Sequence, residues 1–120
     1  MIDEKILIVD DEEIIRRFLS RSLKRLGYND IDEAASAEEG FEIFQRTKPA
    51  LVITDIHMPG ESCLVLLKKA KEYLPDTGFI IMTASDDLDD AISSLNQGAD
   101  RYLLKPLNIT EMQHAVESGL

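Results

Sequence analysis

Three runs of consecutive apolar residues constrain the fold of this chain more than any other feature. They occupy residues 6–9, 51–53 and 79–82. Short apolar runs that are bounded by loop residues are typical of strands with both faces buried, as in a parallel sheet covered by helices. The segment that contains the middle run extends to Asp55, and Pro59 then interrupts the strand pattern. We therefore expect a central strand that carries Asp55 to the edge of a sheet.

Segments with a helical period alternate with these runs. Apolar residues recur at intervals of three and four from Ile14 onward, and Gly27 is the expected stop of this first helix. Ser36 and Glu39 have the spacing of a capping box, which predicts the start of a second helix. Gly40 inside that helix costs roughly 1 kcal/mol relative to alanine, so we expect close packing there.

The remaining elements follow the same alternation. Leu88, Ile92 and Leu95 face inward in a predicted fourth helix that ends at Gly98, and Ile109 does so in the last helix. Weaker strands are predicted at 30–34 and 102–104, and a third helix at 64–74. Five strand-helix pairs predict an α/β fold with a parallel sheet covered on both faces.

Length and charge limit the functional classes. The 120 residues are enough for one domain, which we expect to span 1–120. The formal net charge of −10 argues against direct binding of nucleic acid or of an anionic membrane by this segment. With one cysteine, Cys63, no signal-peptide pattern and no long apolar run, we expect a cytoplasmic protein.

Acidic and polar residues follow the predicted strands. Ligands of open parallel sheets lie beyond the carboxyl ends of the strands, and Asp10, Asp11, Asp55, Thr83 and Lys105 all fall there. Each is an ordinary loop residue by itself. Together, carboxylates at roughly 5 Å would repel by about 3 kcal/mol per pair, which favours a bound cation.

Mg²⁺ is the cation that these residues suit best, because it takes oxygen ligands and shares its coordination sphere with phosphate groups. Asp55 would then be a potential nucleophile, Lys105 a fixed cation and Thr83 a hydrogen-bond donor to a transferred group. These considerations leave both transient phosphorylation and simple metal binding open.

The motifs also carry a family resemblance. Asp10-Asp11, Asp55 with Met58-Pro59, Thr83-Ala84, the Gly98-Ala99-Asp100 segment, Tyr102-Leu103 and Lys105-Pro106 occur in this order over essentially the whole chain. The chain thereby resembles the receiver domains of two-component response regulators. The resemblance implies a doubly wound, CheY-like (flavodoxin-like) three-layer sandwich with a five-stranded parallel sheet of order 2-1-3-4-5.

The resemblance also implies roles for individual residues. Asp55 would accept a phosphoryl group, Asp10 and Asp11 would help to bind Mg²⁺ together with Asp55, and Lys105 would pair with the phosphoryl group. Thr83 and Tyr102 resemble the paired switch residues of the family. Self-phosphorylation and self-dephosphorylation, rather than turnover of a substrate, are then the expected chemistry.

Partners follow from the same resemblance. The phosphodonor would be a sensor histidine kinase or a histidine phosphotransfer protein, and the output an unknown domain or protein. The face formed by the predicted fourth helix, the fifth strand and the last helix, including Leu88, Leu95 and Tyr102, would change on phosphorylation and is a possible homodimer interface. A cis peptide bond is expected between Lys105 and Pro106.

Basic residues form a stripe on the first helix, at Arg16, Arg17, Arg21, Lys24 and Arg25. The stripe is either a solvated helix face with a charge order that suits the helix dipole, or a docking surface. With Ile14 and Ile15 at its start, it is the expected docking face for a phosphodonor.

Two features depart from or vary within the family pattern. Cys63 stands where the family usually has glycine, and Gly60 comes earlier, which leaves the shape of the loop after Asp55 open. His57 and Ala84 are the candidate modulators of dephosphorylation. We expect His57 to have no effect on dephosphorylation, and the alternative is that it modulates the rate.

Three other functions are considered. A small Mg²⁺-dependent phosphatase of the haloacid dehalogenase type also uses an aspartate nucleophile, but it requires an acid where this chain has His57. A flavodoxin-like interaction module would need a phosphate-binding loop after residues 6–9, which the sequence lacks. A receiver that acts only unphosphorylated is disfavoured because the expected acceptor-site residues are present.

Overall fold

The chain folds into a parallel sheet between two layers of helices. The structure is a computed structural model and describes residues 4–56, 63–83, 89, 92, 95–96, 98–105 and 108–119, with the backbone alone at 63 and 64. Its elements are β1 (Ile6–Val9), α1 (Glu13–Arg25), β2 (Ile31–Ala34), α2 (Ala37–Thr47), β3 (Leu51–Asp55), α3 (Cys63–Tyr73), β4 (Gly78–Thr83), β5 (Arg101–Leu104) and α4 (Ile109–Gly119).

The sheet has five strands in the order β2-β1-β3-β4-β5, and every neighbouring pair is parallel. This confirms the doubly wound sheet of order 2-1-3-4-5. The order reverses at β1, whose neighbours are β2 on one side and β3 on the other. The carboxyl ends of β1 and β3 thus meet at the point where ligands bind in sheets of this topology.

Side chains alternate between the two faces of the sheet, as the strand period requires. Leu7 and Val9 of β1 pack on the face covered by α2 and α3, whereas Ile6 and Ile8 pack on the face covered by α1 and α4. All four are fully buried. The apolar runs therefore have helices on both sides, which is the arrangement that their composition predicts.

Two helix ends confirm the expected signals. Gly27 adopts φ +102° after α1, with its N–H donating to Lys24 O while the N–H of Tyr28 donates to Leu23 O. This is a Schellman motif, for which glycine is favoured because it adopts positive φ without strain. At the start of α2, the Ser36 hydroxyl accepts from the N–H of Glu39, as in a capping box.

Three apolar side chains that we expected in the core are exposed. Ile14 is 81% exposed, Ile92 53% and Ile109 47%, so the inward orientation predicted for them is wrong. Ile14 and Ile109 lie in the first turns of α1 and α4, close in sequence to the loops that follow β1 and β5. Leu95 is partly buried against the core, as expected.

Some expectations concern residues outside the described part. In the predicted fourth helix the structure describes Asp89, Ile92, Leu95 and Asn96, all helical. Leu88, the proline of the Lys105-Pro106 bond and the loop at Gly60 lie outside the described residues. Among the helices that the structure does describe, none combines the length and apolar character needed to cross a bilayer.

Gly40 lies against the sheet, which explains glycine inside a helix. A Cβ atom at this position would lie 3.0 Å from Val9 Cγ2 and 3.4 Å from Val9 Cγ1. Val9 is fully buried and β-branched, so its side chain has little freedom to move away. The absence of a side chain at residue 40 therefore allows α2 to approach β1 closely.

We predict that Gly40→Ala lowers the free energy of unfolding by about 1 kcal/mol. Overpacking of a core costs roughly 1–3 kcal/mol, which outweighs the gain in helix propensity of about 1 kcal/mol or less. Urea denaturation followed by circular dichroism measures the change.

The control is the same substitution in a Val9→Ala background, where the methyl groups that Cβ would meet are gone. There Gly40→Ala should be neutral or stabilising. An equal loss in both backgrounds would show that the contact with Val9 does not determine the choice of glycine.

Candidate functional site

Asp10 and Asp55 are neighbours because of the strand register. Val9 of β1 pairs with Thr54 of β3, so the next residue of each strand is one of the two acids. Asp10 is fully buried and Asp55 is 7% exposed. The parallel pairing of two buried strands therefore delivers two carboxyl groups to the same edge of the sheet.

The acids at this edge form a compact cluster. One carboxylate oxygen from each of Asp10, Asp11, Glu12 and Asp55 can be chosen so that all lie within 4.8 Å of one another. The turn after β1 is held by a hydrogen bond from the N–H of Glu12 to Asp10 Oδ1, 2.8 Å long. This bond directs the short acidic segment back over the end of the sheet.

Lys105 supplies a cation to this cluster. Its Nζ lies 3.3 Å from Asp55 Oδ1, 3.5 Å from Asp10 Oδ2 and 3.9 Å from Glu12 Oε1. The backbone N–H of Lys105 donates to Thr83 O at 2.8 Å, which fixes the residue at the end of β5 beside the end of β4. The ammonium therefore reaches across β4 and β3 to Asp10.

Burial sets the protonation of the two inner acids. It raises the pKa of Asp10 to about 6, against the opposing effects of the Glu12 N–H and of Lys105. Burial also raises the pKa of Asp55, while Lys105 opposes the rise. For Lys105 burial acts downward, but the carboxylates of Asp55, Asp10 and Glu12 together raise its pKa. Burial thus favours the neutral carboxyl groups, whereas the Lys105 ammonium favours their charged forms.

One oxygen of the cluster is available to a further cation. Asp10 Oδ2 is buried and accepts no hydrogen bond within the part of the chain that the structure describes. Its nearby partner is the Lys105 ammonium, at ion-pair distance. A buried carboxylate oxygen without a hydrogen bond, among three further carboxylates, fits a hard divalent cation such as Mg²⁺.

Thr83 and Tyr102 lie on the strands that adjoin this cluster. Thr83 is the last residue of β4 and is fully buried; Tyr102 pairs with Ile81 across β4 and β5 and is 38% exposed. The Tyr102 side chain borders a surface groove that Leu95 and His114 also line.

The structure thus brings together Asp10, Asp11, Asp55 and Lys105, with Thr83 joined to Lys105 through the backbone. His57 and Ala84, the candidate modulators, lie outside the described residues. Glu12 was not predicted as part of the site, although it belongs to the acidic run that follows the first strand. The position of Glu12 in that acidic run is the sequence signal that could have identified it.

Arg16 was assigned to the exposed basic stripe, and this is wrong. Its side chain is 17% exposed and its Nη1 donates to the carbonyl oxygen of Asp10 at 2.7 Å. The helical period separates it from Arg17, because Arg16 lies three and seven residues before the buried Leu19 and Leu23 and so shares their face of the helix. Arg17 is exposed and pairs with Glu13. The other basic residues of the stripe, Arg21, Lys24 and Arg25, are exposed as expected.

Comparison with known proteins extends these observations. The chain is 40% identical over 120 residues to a probable transcriptional regulator ycf27 from Porphyridium aerugineum, an alignment that covers 98% of this chain and 48% of the relative. It is 39% identical over 116 residues to the DNA-binding transcriptional regulator NtrC of Escherichia coli K12, covering 94% of this chain and 24% of NtrC. The chain thus spans half or less of the length of these relatives.

Solved structures agree with the fold. A response regulator receiver domain protein from Clostridium thermocellum superimposes with a TM-score of 0.91 at 35% identity, over 97% of this chain and 93% of that one. A CheY-like receiver domain protein from Methanospirillum hungatei gives a TM-score of 0.90 at 32% identity, over 98% and 93%. The family model of the response regulator receiver domain matches residues 6–117. This chain therefore belongs to the family of response regulator receiver domains.

Proposed function

We propose that this receiver domain accepts a phosphoryl group on Asp55 and uses it to control an output domain or protein. The observation that carries the proposal is the position of Lys105 Nζ, 3.3 Å from Asp55 Oδ1 and within 4 Å of two further acids. A cation held beside a carboxylate is the arrangement that phosphoryl transfer to that carboxylate requires, because negative charge accumulates there.

In the proposed reaction a carboxylate oxygen of Asp55 attacks the phosphorus atom of a phosphohistidine on a sensor histidine kinase or a histidine phosphotransfer protein. The bond between phosphorus and the imidazole nitrogen breaks, and its electron pair stays on that nitrogen. The product is an acyl phosphate on Asp55. Lys105 offsets charge on the transferred group. Later attack by water on phosphorus breaks the bond between phosphorus and the Asp55 oxygen, which releases inorganic phosphate and restores the carboxylate.

Asp11, Asp55 and Asp10 are the residues that would hold Mg²⁺. When bound, the ion supplies positive charge to the oxygens of the transferred phosphoryl group. The fit rests on the chemistry of four carboxylates within 4.8 Å and on the buried oxygen of Asp10 that accepts no hydrogen bond in the described part of the chain. Receiver domains bind Mg²⁺ generally, which supports the same assignment.

The proposed readout uses Thr83 and Tyr102. The Thr83 hydroxyl binds the phosphoryl group and Tyr102 turns inward, which changes the face formed by β5, α4 and the helix before Gly98. Such a switch shifts the population of two conformations through contacts that only one of them makes. His57 and Ala84 are proposed to modulate loss of the phosphoryl group, and a homodimer through this face is a further proposal.

The output is proposed to be control of transcription, since two relatives are named as transcriptional regulators. The phosphodonor is proposed to dock on α1. Ile14 is 81% and Phe18 36% exposed on this helix, beside the exposed Arg17 and Arg21. An exposed apolar pair with a charged rim, next to the acid cluster, is suited to a protein interface.

We predict that acetyl phosphate with Mg²⁺ adds one phosphoryl group to the protein, detected by intact mass spectrometry. Asp55→Asn should abolish the adduct because the amide lacks the nucleophilic carboxylate. Asp30→Asn is the matched control: it removes an exposed acid at the amino end of the sheet, which pairs with Lys5, and should be phosphorylated as the wild type is. An adduct that persists in Asp55→Asn would contradict the proposal.

We also predict that, in EDTA, Asp55→Asn unfolds at a higher urea concentration than the wild type, by about 1–3 kcal/mol in free energy, because one repelling carboxylate is removed. Mg²⁺ should narrow this gap, since it binds the native wild-type site. Asp30→Asn should show no gain in either condition. Equal midpoints for Asp55→Asn and wild type, with and without Mg²⁺, would mean that the carboxylates do not repel.

The pH dependence in EDTA follows from the raised pKa of Asp10, about 6 against an ordinary 3.8. Between these values the native state binds more protons than the unfolded state, so stability should fall as the pH rises. Asp10→Asn should show a smaller decrease in stability over this pH range than the wild type. Urea midpoints measured from pH 4 to pH 7 test it, and parallel curves for the variant and the wild type would show that Asp10 titrates normally.

A further inference from the structure

Arg16 makes two contacts that tie the acidic turn to the neighbouring elements. Its Nη1 donates to the Asp10 carbonyl oxygen at 2.7 Å, and its Nε lies 3.4 Å from Glu33 Oε1. Glu33 belongs to β2 and pairs in register with Ile8 of β1. The guanidinium therefore connects α1, the end of β1 and the edge strand, with a side chain that is 17% exposed.

The Asp10 carbonyl is the group through which this contact reaches the acid cluster. The Asp10 N–H is held by Ala34 O at 3.1 Å, and Asp10 Oδ1 accepts from the Glu12 N–H at 2.8 Å. The carbonyl belongs to the peptide unit that joins Asp10 to Asp11. The orientation of this unit is coupled to the ψ angle of Asp10 and the φ angle of Asp11, and so to the direction in which the Asp11 side chain leaves the backbone. The hydrogen bond from Arg16 restrains that orientation.

We propose that Arg16 is a positioning residue for the divalent cation: it orients the Asp10–Asp11 peptide so that the Asp11 carboxylate converges with Asp55. This inference rests on the proposed function, because it assumes that the acid cluster binds Mg²⁺. Groups that hold metal ligands in place typically contribute a factor of about 10–100 to metal affinity.

The sign of the effect separates positioning from simple electrostatics. Arg16 is a cation near a site for another cation, so its charge by itself opposes binding of Mg²⁺. If charge were its main contribution, a neutral residue in its place would tighten metal binding. If orientation of the turn is its main contribution, the same replacement weakens metal binding.

The experiment measures Mn²⁺ affinity by counting free Mn²⁺ with electron paramagnetic resonance, and Mg²⁺ affinity by competition. Mn²⁺ is a suitable probe because it prefers the same oxygen ligands. Arg16→Met keeps an apolar stem and should weaken Mn²⁺ binding about tenfold. Arg16→Lys keeps one donor for the carbonyl and should recover part of the loss.

Arg17→Met is the matched control. It removes the same charge from the adjacent position of α1, where the side chain is 71% exposed and pairs with Glu13. Its Mn²⁺ affinity should equal that of the wild type or be slightly higher. Circular dichroism and urea denaturation in EDTA establish that each variant is folded, and if Arg16→Met is not, Arg16→Gln takes its place.

Three results would overturn the inference. Unchanged or tighter Mn²⁺ binding by the Arg16 variant, even with a loss of stability, would assign Arg16 to the fold alone. Equal weakening in the Arg16 and Arg17 variants would show a general effect of substitutions in α1, because loss of positive charge alone would tighten metal binding. A wild-type protein that binds neither Mn²⁺ nor Mg²⁺ would overturn the metal site of the proposed function and this inference with it.

Discussion

The ion pairs of Lys105 are the interactions on which the arrangement of this site depends. Its ammonium lies within 4 Å of carboxylates from Asp10, Glu12 and Asp55, two of which are almost fully buried. Without a cation, these acids would repel in a poorly solvated position, at a cost of several kcal/mol. One ammonium offsets part of this charge. The remainder is the physical reason why the carboxyl edge of the sheet suits a divalent cation.

The sheet makes this concentration of charge possible. Parallel strands begin at one edge of the sheet and end at the other, so the carboxyl ends of β1, β3, β4 and β5 lie at the same edge. The inner strands β1, β3 and β4 are buried throughout, which fixes their register firmly because any slip would expose apolar side chains. A rigid core of this kind can hold groups that repel one another, since the core supplies the stability that the site lacks.

Much of the fold and of the site could be predicted from the sequence, because both depend on strong local signals. The apolar runs identified the buried strands, and the acids at their ends identified Asp10, Asp11 and Asp55. The misassigned residues depended on tertiary position. Arg16 and Arg17 have the same chemistry and adjacent positions, yet the rotation of α1 on the sheet turns one toward Asp10 and leaves the other in solvent. Periodicity places Arg16 on the side of α1 that carries Leu19 and Leu23, but it does not identify the Asp10 carbonyl as its partner.

The same pairing that builds the site also connects it to the surface. The N–H of Lys105 donates to Thr83 O, and Ile81 and Tyr102 pair further along the same two strands. Under the proposed function, Thr83 and Lys105 both contact the phosphoryl group. Phosphorylation then acts directly on the last residue of β4 and on the residue that follows β5. A displacement there would pass along β5 to Tyr102, which is 38% exposed beside the groove that Leu95 borders. Neutralisation of the acid cluster and a change in the surface around Tyr102 would then both depend on the hydrogen-bonded pair of strands β4 and β5.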